Sequence, residues 1–166
     1  MTYIATVLTR SGPDWSGRDV DLSDVDDLDA LADALRDGDD EVALCLLEED
    51  DEYVVIVRVD GDAGEPRVFL SDKRVLESTS VAARLLADAL EAAAVPVADD
   101  DEEDEEESGR PEVEPVGDED LLGDLGVSGE RLTRLCAQEG MLPSDVIFAV
   151  GEDLGASDVL EKVRGV

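Results

Sequence analysis

Histidine is absent from the sequence, and this absence excludes several kinds of chemistry. Without histidine the chain cannot form a Ser-His-Asp or Cys-His nucleophile arrangement, or a zinc site that uses imidazole. The only cysteines, Cys45 and Cys136, are 91 residues apart, so they predict neither a zinc ribbon nor a disulfide scaffold. Cys45 lies inside the apolar run VALCLL, and we expect its thiol to be buried and structural.

The sequence also lacks the glycine-rich motifs that bind phosphates. Neither a P-loop nor a G-x-G-x-x-G pattern occurs. Carboxylates are so abundant that no one pair stands out as an acid and base couple. We therefore expect a protein that is not an enzyme and that has no catalytic residue, no cofactor and no metal site.

Long apolar runs and aromatic residues are scarce as well. No run approaches the roughly 20 residues of a membrane span, and no basic region precedes an apolar segment at the N-terminus. Aromatic residues make up 3% of the chain, so leucine, valine and alanine must form the core. We expect a soluble cytoplasmic protein that does not bind membranes.

Basic residues are few, and the charge is strongly one-sided. Lysine and arginine total 13 against 46 acidic residues, which gives a net charge of −33 over 166 residues. Residues 1–98, 99–115 and 116–166 carry net charges of −16, −10 and −7, so every segment is acidic. This balance argues against direct nucleic-acid binding, which needs a basic footprint. It favours solubility and a basic protein partner.

The chain is organised around nine consecutive acidic residues, Asp99–Glu107. The segment around this run has almost no apolar content and its charges repel, so residues 98–115 are predicted to be a disordered acidic linker. Residues 1–97 are predicted to be an α+β sandwich domain, and residues 116–166 a small helical domain. The sequence leaves open whether the second domain docks on the first or on a partner.

Alternating apolar runs and helical patterns define the first domain. Strands are predicted at residues 3–8, 42–47, 53–59 and 66–70, with a brief strand at 20–22 and a loop over 10–18. Helices are predicted at 24–37, capped by Ser23, and at 81–94. The middle strands should pair as an antiparallel sheet carrying both helices. The sequence does not decide whether both helices share one face, which would leave the other face open.

The third segment is predicted to be an all-helical bundle of four short helices. Asp118, Ser128, Pro143 and Ser157 are placed to begin them. Gly126, Gly140 and Gly155 are placed to end the first three.

Three features are candidate partner contacts. Trp15, the only tryptophan, either covers the edge of the core or anchors an interface. The acidic run is either a solvating spacer or an arm that attracts a basic partner, and its candidate contacts are Asp99, Asp100, Asp101, Glu102 and Glu103. The open sheet face is a third candidate.

Several stretches of the chain resemble one known family. They are YIATVLTRSGPDW, EEDDEYVVIVRVDG, PRVFLSD, and the C-terminal pair PVGDEDLLGDLGVSGERLTRLCAQEGMLPSDVIFAV and LGASDVLEKVR. On these residues the chain resembles the actinobacterial family of tRNA adenosine deaminase-associated proteins, over nearly its whole length. The resemblance implies an accessory role beside an enzyme that makes inosine in tRNA. The chain itself lacks the H-x-E and P-C-x-x-C motifs of a zinc deaminase.

Three functions are consistent with these observations. The first is a non-enzymatic protein that binds or regulates the deaminase by occupying its basic surface. The second is a phosphate-mimicking protein that blocks nucleic-acid-binding partners generally. In the third, the acidity serves solubility alone and the folded domains act elsewhere. The oligomeric state is left undetermined by the sequence.

Overall fold

The computed structural model describes residues 3–35, 41–49, 51–60, 66–72, 75, 82–86, 115–138 and 140–165. Its centre is an antiparallel sheet of six strands in the order β2-β1-β3-β4-β5-β6. The strands are β1 (Tyr3–Ser11), β2 (Asp14–Asp19), β3 (Val42–Glu49), β4 (Tyr53–Asp60), β5 (Arg67–Leu70) and β6 (Val116–Gly117). β1, β3 and β4 are the long central strands, and β2 and β6 are the edges.

One face of the sheet is covered by the helices of the N-terminal segment. Side chains alternate between faces along a strand, so Ala5, Val7, Cys45 and Val57 point to this side. Helix α1 (Leu28–Leu35) and the helical residues 82–86, here α2, pack against them. Both helices of the first segment therefore share one face.

The opposite face is covered by the C-terminal segment. Leu8, Leu44, Leu46, Ile56 and Phe69 point to this side. They pack against a 3₁₀ turn (Gly123–Leu125) and helices α3 (Gly129–Ala137), α4 (Pro143–Leu154) and α5 (Ser157–Arg164). The molecule thus has three layers, and the sheet face that the sequence left as a candidate contact is buried inside the chain. The physical reason is its composition, since a face formed mainly by leucine, isoleucine, valine and phenylalanine is strongly stabilised by burial.

The predicted α+β class and antiparallel sheet are confirmed. The apolar runs at 3–8, 42–47, 53–59 and 66–70 all form strands, and β3 is buried on both faces, as expected for a run without alternation. The apolar residues Leu85 and Leu86 lie on the predicted second helix and are buried. The described residues do not include 61–65, residues 87–94 of the predicted second helix, or nearly all of the predicted acidic linker.

The predicted loop over residues 10–18 is wrong. Residues 14–19 form β2, which pairs with β1 in the register Ser11↔Asp14 to Thr6↔Asp19. The two-residue turn has Gly12 at φ 67°, the left-handed conformation that such a hairpin favours. β2 has few β-forming residues, so pairing with β1 decides its conformation.

Two further predictions in this region are wrong. Residues 20–22 are not a strand, although Val20 N–H still donates to Ala5 O. Helix α1 begins at Leu28 instead of residue 24, and Asp27 instead of Ser23 accepts from a first-turn amide, that of Ala30. Leu22 and Val25 are buried in non-helical backbone, so tertiary packing outweighs the helical spacing that included Val25.

The C-terminal segment follows most of its capping signals. Ser128 Oγ accepts from Arg131 N–H, Pro143 begins α4, and Gly155 ends it in the left-handed conformation. The first predicted helix does not form, and turns with one 3₁₀ turn take its place. Among the backbone amides of the described residues, only that of Asp120 donates to the Asp118 side chain, so Asp118 does not cap an α-helix. Residues 116–117 pair with β5, so the segment is not entirely helical. The segment docks on the sheet, while the division into independently folding domains stays a prediction.

Candidate partner-binding surface

Among the described residues, three ion pairs join the sheet to the C-terminal layer, and their cations are Arg58, Arg67 and Arg164. Arg58 of β4 holds Asp124 with Nη1–Oδ1 and Nη2–Oδ2 distances of 2.6 and 3.0 Å, and its Nε lies 3.0 Å from Asp60. It also donates to Leu121 O. The pKa of the Asp124 carboxyl is lowered, mainly by the hydrogen bond from Arg58.

A second pair is almost fully buried. Arg164 at the end of α5 lies 3.1 Å from Glu48 of β3, and both side chains are 5% exposed. Its Nε donates to Thr6 Oγ1, and its guanidinium stacks over Phe148 at 5.6 Å. Because an unpaired buried charge is costly, this pair fixes α5 on the sheet. The third pair, Arg67–Asp118 at 2.7 Å, is half-exposed.

Trp15 also lies at this junction. Its Nε1 donates to Leu154 O at 3.1 Å, its ring packs against the core of the C-terminal layer, and Arg10 stacks over it. Gly17, two residues on, lets α5 approach, since a Cβ there would lie 2.7 Å from Val159 Cγ1. These are the contacts of a residue that covers the core edge, and a partner contact by the accessible part of Trp15 stays a prediction.

Every described arginine is engaged within the chain. Besides the pairs above, Arg131 binds Asp153 and Arg134 binds Glu130. Arg10, Arg18 and Arg84 donate to backbone oxygens, those of Gly12, Ala34 and Leu22. Each of these eight described guanidinium groups therefore already has a hydrogen-bond acceptor in this chain. The arrangement supplies no basic patch among the described residues.

At one edge of the molecule, in contrast to these paired arginines, carboxylates lack ion-pair partners among the described residues. Residues 14–33 form β2, the following loop and most of α1, and they contain eight exposed aspartates and one arginine. We call these aspartates the acidic edge: Asp14, Asp19, Asp21, Asp24, Asp26, Asp27, Asp29 and Asp33. Among the described residues, none of them forms an ion pair. Their charges face solvent and are available to a cationic partner.

A shallow groove of about 460 Å³ opens at one end of the acidic edge. It is lined by Tyr3, Ile4, Ala5, Asp19, Val20 and Asp21. Tyr3 Oη donates to Asp21 Oδ1 at 3.1 Å and accepts from Leu22 N–H at 2.8 Å. The pKa of Tyr3 is raised, mainly by burial. The pKa of Asp21 is lowered, mainly by the hydrogen bond that it accepts from the Ser23 amide. Ile4 is 44% exposed, so the groove combines an apolar side chain with two carboxylates.

The candidate contacts in the acidic run stay a prediction. Asp99, Asp100, Asp101, Glu102 and Glu103 lie outside the described residues, so the structure does not relate them to Trp15. The acidic edge was missed because its aspartates were assigned to the outer face of one helix. Their density over residues 14–33 was the available signal.

The remaining reactive groups offer little chemistry. Burial raises the pKa of both the Cys45 and Cys136 thiols to about 12, so neither is a thiolate near neutral pH. Within the described ranges, no group of three or more acidic or cysteine side chains is placed to hold a metal ion. No helix in the same ranges has the length and apolarity to span a membrane.

Fold and surface together define an α+β protein with an acidic edge, in which the described arginines bond within the chain. The chain belongs to the family described as Rv3753c-like tRNA adenosine deaminase-associated protein, whose model matches residues 3–157. The description associates the family with a deaminase and does not call its members deaminases. The search of curated proteins and the search of solved structures found no match.

Proposed function

We propose that this protein is a non-enzymatic accessory protein that binds a tRNA adenosine deaminase and regulates its access to tRNA. The observation that carries the proposal is the separation of charge: described arginines are engaged internally, whereas the acidic edge is exposed and unpaired. The family description supplies the partner.

The physical argument is electrostatic. An enzyme that holds tRNA needs basic surface to displace counterions from phosphates. A protein of net charge −33 is attracted to such a surface, and the attraction is strongest where carboxylates form no ion pair within the chain. Occupation of that surface excludes tRNA, so the accessory protein acts as a regulator or as a placeholder until tRNA arrives.

Calorimetric titration into the tRNA adenosine deaminase of the same organism tests this proposal. We expect saturable binding that persists at physiological salt, weakens as salt rises, and is competed by tRNA. Absence of heat at both low and physiological salt would overturn it. Equal affinity for unrelated basic proteins would instead support the general phosphate mimic.

Two variants that remove the same number of charges from different surfaces test which surface binds the deaminase. Replacing Asp24, Asp26 and Asp33 by asparagine removes three charges from the acidic edge. Replacing Glu119, Glu152 and Glu161 by glutamine removes the same number of exposed charges from the C-terminal layer. We expect the first variant to bind the deaminase at least about fivefold more weakly than the second, because a specific surface depends on where the charge lies. Equal weakening would mean that only net charge matters.

A further inference from the structure

The edge strand β2 exposes unpaired backbone groups. In an antiparallel pair, alternate residues direct their N–H and C=O groups toward the neighbouring strand. The bond from Val20 N–H to Ala5 O sets the phase, so Asp14, Ser16 and Arg18 face β1. The backbone groups of Trp15, Gly17 and Asp19 therefore point away from the sheet. Among the described residues, nothing forms hydrogen bonds with these three N–H and three C=O groups.

Carboxylates beside this edge favour a positively charged segment as the chain that pairs with β2. Asp14 and Asp19 lie on β2 itself, and the C-terminal end of α1, with Asp33, is tied to β2 by the bond from Arg18 to Ala34 O. The groove beside Tyr3 and Ile4 continues past the last residue of β2. An extended chain along β2 would thus pass between carboxylates and end beside an exposed apolar side chain.

Charge excludes the two occupants that the chain itself could supply. A second copy paired through β2 would bring its acidic edge against the same eight aspartates of the first copy, and such like charges repel. The acidic run 99–107 would bring nine further negative charges to the same edge. A basic segment of another protein would not be repelled by the carboxylates of this edge.

We propose that β2 accepts an extended basic segment of the partner protein as a seventh strand of the sheet. This inference rests on the proposed function and specifies its interface. Main-chain hydrogen bonds to residues 15, 17 and 19 give the affinity, as in other cases of strand addition. Basic side chains beside the acidic edge give the selectivity and speed the encounter.

Amide hydrogen exchange at single-residue resolution tests the pairing directly. The probe is a blocked peptide of about eight alternating lysine and valine residues, slightly longer than a typical strand of roughly 5–6 residues. We expect the peptide to slow exchange at the amides of Trp15, Gly17 and Asp19 by at least about tenfold, with little change at Ser16 and Arg18, which already bond to β1. Uniform or absent protection would overturn the inference. The same peptide methylated on alternate backbone nitrogens keeps its charge and should give no protection.

A matched pair of variants tests the same point by affinity. Asp19→Ala and Asp19→Pro both remove the carboxylate, but only the second removes the outward N–H. Proline is tolerated on an edge strand where the N–H faces solvent. We expect Asp19→Pro to bind the lysine-valine peptide on the order of tenfold more weakly than Asp19→Ala, the effect of about one hydrogen bond. Equal affinity of the two variants would count against strand addition.

The deaminase itself separates the two proposals. If it binds and protects the three alternating amides, both stand. If it binds without that pattern, the proposed function stands and the β2 interface is wrong. If it does not bind at all, the proposed function fails, and the peptide pattern alone decides whether β2 is a site for basic strands.

Discussion

Carboxylates in two regions of this molecule have opposite environments. Between the sheet and the C-terminal layer, Glu48 and Asp124 each meet an arginine from across the junction. At the acidic edge, eight aspartates face water, and the described residues offer them no cationic partner. The difference lies in where the few arginines are placed. The chain directs positive charge to its internal junction and leaves its outer edge negative.

This comparison separates two uses of acidic residues. At the junction, carboxylates orient the C-terminal layer, since a paired charge fixes one geometry and an unpaired one is costly. At the acidic edge, only the side chains of Asp21 and Asp27 form hydrogen bonds with other described residues. The other six aspartates contribute little to the fold, and repulsion along the edge slightly opposes it. Three predictions test this division, in order of expected size.

The largest effect is expected at the most buried pair. Arg164→Met leaves Glu48 buried without its cation, which should lower the free energy of unfolding by about 3–5 kcal/mol. Chemical denaturation measures the change. Arg131→Met is the control, because it removes the more exposed pair with Asp153 and should cost much less. Equal costs for the two variants would contradict the assignment of Arg164 as the anchor of α5.

The second prediction concerns pH. Asp124→Asn removes a bidentate ion pair to Arg58 and should cost about 1 kcal/mol at neutral pH, since solvent screens a carboxylate that is 64% exposed. Because the pKa of Asp124 is lowered in the folded state, its stabilisation is present above its ordinary value of 3.8 and is lost as pH falls through the folded pKa. Thermal unfolding at a series of pH values should therefore show wild type and variant converging in acid. Asp26→Asn, which removes an unpaired carboxylate, serves as control, and a constant difference at all pH values would refute the linkage.

The smallest effect is expected at the acidic edge. Replacing Asp24, Asp26 and Asp33 by asparagine should change the free energy of unfolding by no more than about 0.5 kcal/mol per site, with a tendency toward stabilisation. Denaturation at low and high salt measures it, and salt should stabilise the wild type by screening repulsion. A loss above about 1 kcal/mol per site would show that these aspartates are structural.

Much of the fold follows from local sequence. The runs that form β1, β3, β4 and β5 are apolar and rich in β-forming residues, so each indicates a strand without help from its neighbours. The beginnings of α3 and α4 follow from Ser128 and Pro143, because a cap acts on amides only two or three residues away. Burial of Cys45 follows from the run that contains it.

Other features depend on contacts between residues far apart in the chain. β2 exists because β1 pairs with it, and α1 begins late because Leu22 and Val25 are buried instead of continuing a helix. The cover over the second sheet face comes from a segment beyond the acidic run, and Arg58, Arg67 and Arg164 meet partners 51 to 116 residues away. No local pattern encodes such partners.

The sequence alone determined the charge, the apolar strands, the chemistry excluded by the missing histidine and, through resemblance, the family that the comparison confirms. The tertiary structure decided which carboxylates are paired and which remain exposed. The reason is physical: net charge is a sum over residues, whereas pairing depends on distances that only the folded chain sets.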